Sequence, residues 1–131
     1  MTALYLDSSA FVKVVVEEAE SAALRSMLAA SEAQRVSSSL LRTESLRAVR
    51  HLGPTALLVV REGLRRVGLI SVDDRILDAA GVLGSGVLRT LDAIHLATAL
   101  ALGDDLEAIV TYDERMITAA ALLGLTTTSP S

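Results

Sequence analysis

Cysteine is absent from this 131-residue chain, which removes both a disulfide framework and a thiolate metal site. Also missing is any run of roughly 20 uninterrupted apolar residues, the length a membrane-spanning helix needs. The nearest approach, LRTLDAIHLATALAL over residues 88–102, is interrupted by Asp92 and His95. The mean hydropathy of +0.48 is therefore read as a well-filled core, with no membrane partner. The opening MTALYLDSS has neither a basic leader nor an obvious cleavage site, so it does not read as a signal peptide. Together these absences predict a cytoplasmic protein. The signatures GxSxG, GxxxxGK[ST] and HExxH are missing as well, and no nucleophile-and-base pair stands out. Lysine is nearly absent: Lys13 is the only one among 12 basic residues. The others are arginines, which suit bidentate phosphate contacts.

What is present is 51% hydrophobic residues, enough for one domain with a real core and too many for a disordered chain. ALYL over Ala3–Leu6 is a short apolar strand running into Asp7-Ser8-Ser9, a helix start. Helices are expected over 10–16, where the β-branched VKVVV run is a poor helix former, and over 20–30. RVSSS is a second strand ending near Ser37 and Ser38. Helices follow over 40–52, stopped by Gly53-Pro54, and over 56–67, stopped by Gly68. LISV is a third strand, Asp73-Asp74 opens a helix over 75–80, and a glycine-bearing loop spans 81–86. After the long apolar helix, EAIVTYD gives a fourth strand, residues 114–123 a last helix, and GLTT a fifth strand, with a tail over 128–131. Strands alternating with helices predict an α/β fold: a parallel sheet of about five strands flanked by helices on both faces.

In such a sheet ligands bind outside the carboxyl ends of the strands. Asp7 and Asp113 each end a strand and begin a helix, so they belong to the same rim. Asp92 opens the apolar helix, and Glu44 lies in the helix that leaves the second strand. Each acid alone has an ordinary role available. Asp7 and Asp113 suit N-caps, Asp92 a first helical turn capped by Thr90, and Glu44 a pair with Arg47 on one helix face. Gathered on one rim, however, the four would repel and raise one another's pKa, and a divalent cation would relieve the conflict. Oxygen-only donors suit Mg²⁺ or Mn²⁺ rather than zinc.

The net charge of −4 equals the charge of these four acids, so with a cation bound the chain is not barred from a phosphate-rich partner. His95, three residues after Asp92, suits a core or supporting role more than that of ligand or base. His51 sits near a helix C-terminus, where a cation is favoured. Ser8, Ser9 and Thr111 flank two of the acids and can orient a carboxylate; Thr111 and Ser8 are the supporting candidates. Arg42, Arg47, Arg50, Arg61, Arg65 and Arg66 are candidates for contacts along a nucleic-acid backbone. The chemistry left by this elimination is metal-assisted attack on a phosphate ester.

YLDSSAFVK, RTESLRA, LDAIHLATAL and IVTYDERM together resemble the four acidic motifs of PIN domains, and especially the VapC toxins of bacterial toxin–antitoxin pairs. The resemblance covers residues 4 to about 125, with LDAIHLATAL its most specific piece. By motif, Asp7 matches the first-strand aspartate, Glu44 the helical glutamate, Asp92 the aspartate opening the apolar helix, and Asp113 the one after the fourth strand. Thr111 matches a Ser/Thr often found two residues before that last acid.

The resemblance implies a single PIN-like domain over 1–131 and a Mg²⁺-dependent endoribonuclease. Asp7 and Asp92 would be the firmest metal ligands, with Asp113 and Glu44 completing the shell directly or through water. Activated water would attack the phosphate in line, leaving a 5′-phosphate and a 3′-hydroxyl. It also implies a homodimer, silenced in a hetero-oligomer by a VapB-type antitoxin lying along the apolar AFVKVVV and SAALRSML surface. Two rivals remain. A receiver-like Mg²⁺-binding switch wants a lysine at a late strand end, whereas Lys13 follows the first strand. A non-catalytic PIN-like regulatory module would keep the fold without the chemistry.

Overall fold

β1 (Ala3–Leu6) is buried along its whole length, as expected of a strand with helices on both sides. In the computed structural model, which describes residues 1–84 and 88–131, β1 is the centre of a five-stranded parallel sheet. The strand order is β3-β2-β1-β4-β5, with β2 at Gln34–Ser38, β3 at Gly68–Ile70, β4 at Leu106–Val110 and β5 at Thr127–Thr128. The chain builds outward through β2 and β3 on one side of β1, then returns to β4 and β5 on the other. The reversal lies between β1 and β4, where a doubly wound sheet opens a crevice at its carboxyl edge.

The helices are α1 (Ser8–Val15), α2 (Ser21–Ala30), α3 (Leu40–Val49), α4 (Pro54–Leu64), α5 (Asp74–Gly81), α6 (Thr90–Leu100) and α7 (Glu114–Leu122). The VKVVV run is helical to Val15 in spite of its propensity, because α1 is anchored by packing: Ala10 and Phe11 are fully buried. α3 is shorter than the expected 40–52, its last residues tightening into a 3₁₀ turn over Arg50–Leu52. α4 begins at Pro54 rather than 56, since proline suits a first helical turn. Gly81 closes α5, and residues 85 and 86 of the expected 81–86 loop lie outside the described residues. No helix among the described residues is long and apolar enough to cross a membrane.

Period-two alternation splits the core. Leu4 and Leu6 of β1 join Ala108 and Val110 of β4 under Ala10, Leu24 and Leu28. Tyr5 and Ile109 face the other way, onto Leu96 and Ala99 of α6 and Met116 and Ala120 of α7. α6 buries seven consecutive residues, Ala93 to Ala99, because it is also covered by Ile76 and Ala80 of α5. The segment expected as a tail over 128–131 is fastened instead. Thr128 pairs with Val110, Ser129 donates from Oγ to the Thr111 carbonyl (2.5 Å), and Tyr112 donates its hydroxyl to the Pro130 carbonyl (2.6 Å).

Candidate active site

Asp7 leaves the carboxyl end of β1 as the N-cap of α1, so its ordinary capping role is real. It does more than cap. Oδ1 accepts from the Ala10 amide (3.0 Å) and the Ser9 hydroxyl (2.6 Å), while Oδ2 accepts from the Thr111 hydroxyl (2.5 Å) at the end of β4. Of the two serines that follow Asp7, it is therefore Ser9 and not Ser8 whose hydroxyl reaches the carboxylate: Ser9 is the second residue of α1 and turns back toward the cap. Ser9 and Thr111 each serve twice. Ser9 Oγ accepts from the Tyr112 amide (2.9 Å), and Thr111 Oγ1 accepts from the Asp113 amide (3.1 Å). The ends of β1 and β4 are thus stitched together around one carboxylate that is only 4% exposed. Burial pushes the Asp7 carboxyl upward from its ordinary value, and the donors from Ser9, Thr111 and Ala10 oppose that rise.

Asp113 caps α7 through the Arg115 amide (2.9 Å). Asp92 has no such duty. The N-cap of α6 is Arg89, without a side-chain capping bond, and the expected cap Thr90 is already the first helical residue. Asp92 instead stands half-buried in the first turn, its pKa raised first by desolvation and next by the negative charge of Asp113. Asp7 and Glu44 push in the same direction, and His95 opposes them. Asp92 therefore feels the charge of the other three acids, which stand on elements far apart in the chain.

Glu44 does not pair with Arg47. Its Oε1 takes a hydrogen bond from His95 Nε2 at 2.5 Å, across from α6 to α3. His95 Nδ1 meets the Tyr5 hydroxyl of β1 at 2.6 Å. Sequence reading gave His95 a core or supporting role without a partner, and Tyr5 none at all. Nothing local signals either link, since the partners are 51 and 90 residues away. His51 is exposed in the 3₁₀ turn. The six arginines form no single track: Arg42 lies at the rim-side start of α3, whereas Arg65 and Arg66 precede β3 and so lie at the opposite edge of the sheet.

The donor chemistry fits a hard divalent ion. Every candidate ligand is a carboxylate, and the nearby imidazole has both nitrogens engaged by Tyr5 and Glu44. Among the described residues no three acidic or imidazole groups stand close enough to enclose an ion by themselves.

Acids at the carboxyl edge of a small parallel sheet occur in several classes of protein, and this chain belongs to one of them: the PIN domain family, whose model matches residues 4–122. Along its full 131 residues it is 51% identical to Ribonuclease VapC46 of Mycobacterium tuberculosis strain H37Rv, covering 100% of both chains. It is 39% identical over 130 residues to Ribonuclease VapC35 of the same strain, covering 97% of this chain and 96% of that one. The crystal structure of Mycobacterium tuberculosis VapC20, described as a sarcin-ricin loop cleaving toxin, has the same fold. Its TM-score is 0.78 at 15% identity, over 97% of this chain and 99% of that one.

Proposed function

We propose that this protein is the endoribonuclease toxin of a VapBC-type toxin–antitoxin pair, hydrolysing RNA phosphodiester bonds with Mg²⁺, or Mn²⁺ in its place, in the cytoplasm. The observation that carries the reading is the charge of Asp7, Glu44 and Asp113 acting on Asp92 at one sheet edge, in a chain related end to end to VapC ribonucleases. Asp7 and Asp92 are the principal metal-holding residues, with Asp113 and Glu44 beside them. An ion held by these carboxylates would supply neutralising charge for the phosphodiester and ease deprotonation of the attacking water.

The chain's own residues do the rest. Ser9, Thr111 and the Ala10 amide fix the Asp7 carboxylate so that it does not swing away when charge is absent. Asp92 rides on a helix buried on every side behind it, which holds its carboxylate still with respect to Asp7.

The expected antitoxin surface along AFVKVVV borders α4 as well as α1. Here a cavity of about 290 Å³ is lined by Phe11, Val14, Val15 and Val59 and flanked by Arg35 and Arg66. The SAALRSML surface contributes less than its sequence suggests, because Leu24 and Leu28 are buried. Exposed Leu52, Leu58 and Leu77 leave apolar surface for a second copy of the chain. The assay is purified protein with labelled RNA and Mg²⁺. Cleavage is expected for wild type, and its loss for folded Asp7→Asn and Asp92→Asn. Undiminished metal-dependent cleavage by both variants would overturn the assignment; failure of wild type to cut any RNA would favour a non-catalytic module.

A further inference from the structure

Within α6 every residue from Ala93 to Ala99 is buried, and one of them is an imidazole. A polar ring in such a place is costly unless both nitrogens are satisfied, and a leucine would fill the space more cheaply. His95 is held on two sides. Its ring stands edge-on to that of Tyr5, with centroids 5.8 Å apart and planes at 78°. The Tyr5 hydroxyl, rooted in the fully buried central strand, fixes Nδ1. Nε2 then points out of the core toward α3, at a glutamate whose side chain is 19% exposed against 2% for the histidine. A carboxylate only accepts, so Nε2 carries the proton whether the ring is neutral or charged. The tyrosine hydroxyl can donate to a bare Nδ1 or accept from a protonated one, so the link on that side persists as well. Among the described residues Oε1 of Glu44 is thereby committed, while Oε2 has no side-chain partner.

Resting on the reading of Glu44 as part of the metal-holding site, we infer that His95, braced by Tyr5, is a positioning residue that orients the Glu44 carboxylate for its work at the acidic rim. The Tyr5–His95–Glu44 line ties β1, α6 and α3 together. Asp7 follows directly on β1, while α6 carries Asp92 and α3 carries Glu44. A glutamate has three side-chain torsions to fix, and one immobile donor aimed at Oε1 removes most of that freedom before any ion or RNA arrives. Outer hydrogen-bond partners of this kind commonly change metal affinity about 10–100-fold when removed.

The test is Mn²⁺ binding to the RNA-free protein by titration calorimetry, with cleavage rates and thermal melts alongside. Glu44→Gln sets the scale. His95→Phe, which keeps an aromatic ring in the core, is expected to weaken Mn²⁺ binding about tenfold. His95→Gln, whose amide nitrogen reaches as far as Nε2, should recover most of that loss, and Tyr5→Phe should show part of it. In a Glu44→Gln background the His95→Phe change should add nothing further. Wild-type affinity and rate in His95→Phe, with Glu44→Gln impaired, would overturn the positioning role, as would equal losses from His95→Phe with and without Glu44. Wild-type behaviour of Glu44→Gln itself would instead overturn the assignment of Glu44. Should His95→Phe fail to fold, Tyr5→Phe with and without Glu44→Gln carries the same comparison.

Discussion

Asp92 carries its charge at a cost, and the sign of that cost is measurable. Its carboxyl is raised by desolvation and by Asp113, Asp7 and Glu44, so the folded chain holds this proton more tightly than the unfolded chain. The associated stability is greatest below the unfolded value of about 4 and falls as pH climbs through the higher folded value. In EDTA, Asp92→Asn is therefore expected to melt at or above the wild-type temperature at pH 7, with the difference shrinking toward pH 3. A fixed deficit at every pH would mark Asp92 as a purely structural side chain. Thr111 is the opposite case. Its hydroxyl donates to Asp7 and accepts from the Asp113 amide, so the near-isosteric Thr111→Val strands one buried and one part-buried partner. A loss of about 1–3 kcal/mol is expected in urea unfolding, and cleavage should fall as Asp7 loses a donor that restrains its pKa.

At the scale of elements, α1 and α4 meet so closely that one glycine sets their separation. A Cβ on Gly63 of α4 would stand 2.5 Å from Val15 Cγ1 and 3.2 Å from Phe11 Cζ. Alanine in place of glycine ordinarily strengthens a helix interior by up to about 1 kcal/mol, whereas overpacking costs about 1–3 kcal/mol. Gly63→Ala should therefore lower Tm by a few degrees, and Val15→Ala in the same chain should remove most of the clash. Stabilisation by Gly63→Ala alone would show that the helices can part freely. The contact matters because the same pair borders the cavity assigned to the antitoxin.

For the whole molecule, the acidic site proposed above would take a cation, and a metal ion is not the only one that can serve. A guanidinium satisfies two carboxylates at once and competes with the metal for the same oxygens. The antitoxin is accordingly expected to place an arginine at Asp7, Glu44, Asp92 and Asp113 while its apolar residues fill the groove at Phe11, Val14 and Val15. Replacing that arginine with alanine should restore cleavage in the mixture while the complex still elutes as one species. Pull-down from the native organism should recover the partner; recovery of this chain alone, with full ribonuclease activity in the lysate, would count against a silenced toxin. Added Mg²⁺ should raise the Tm of the isolated protein through binding to the folded form, and by much less in Asp92→Asn.

The sequence by itself settled the order of strands and helices and the α/β class, because hydrophobic period and helix-start residues are properties of neighbours along the chain. It also put Asp7 and Asp113 on one rim, since in a parallel sheet every strand that ends in an acid ends on the same side. Tertiary structure decided the rest. It seated Thr111 on Asp7 across 104 residues and turned Glu44 to His95 rather than to the nearby Arg47. It chose Ser9 over Ser8, made a fastened strand end out of 128–130, and sent Arg65 and Arg66 away from the acids. Those outcomes depend on how α3 and α6 dock beside β1. Docking is fixed by the summed packing of side chains distant in sequence, and no local pattern encodes it.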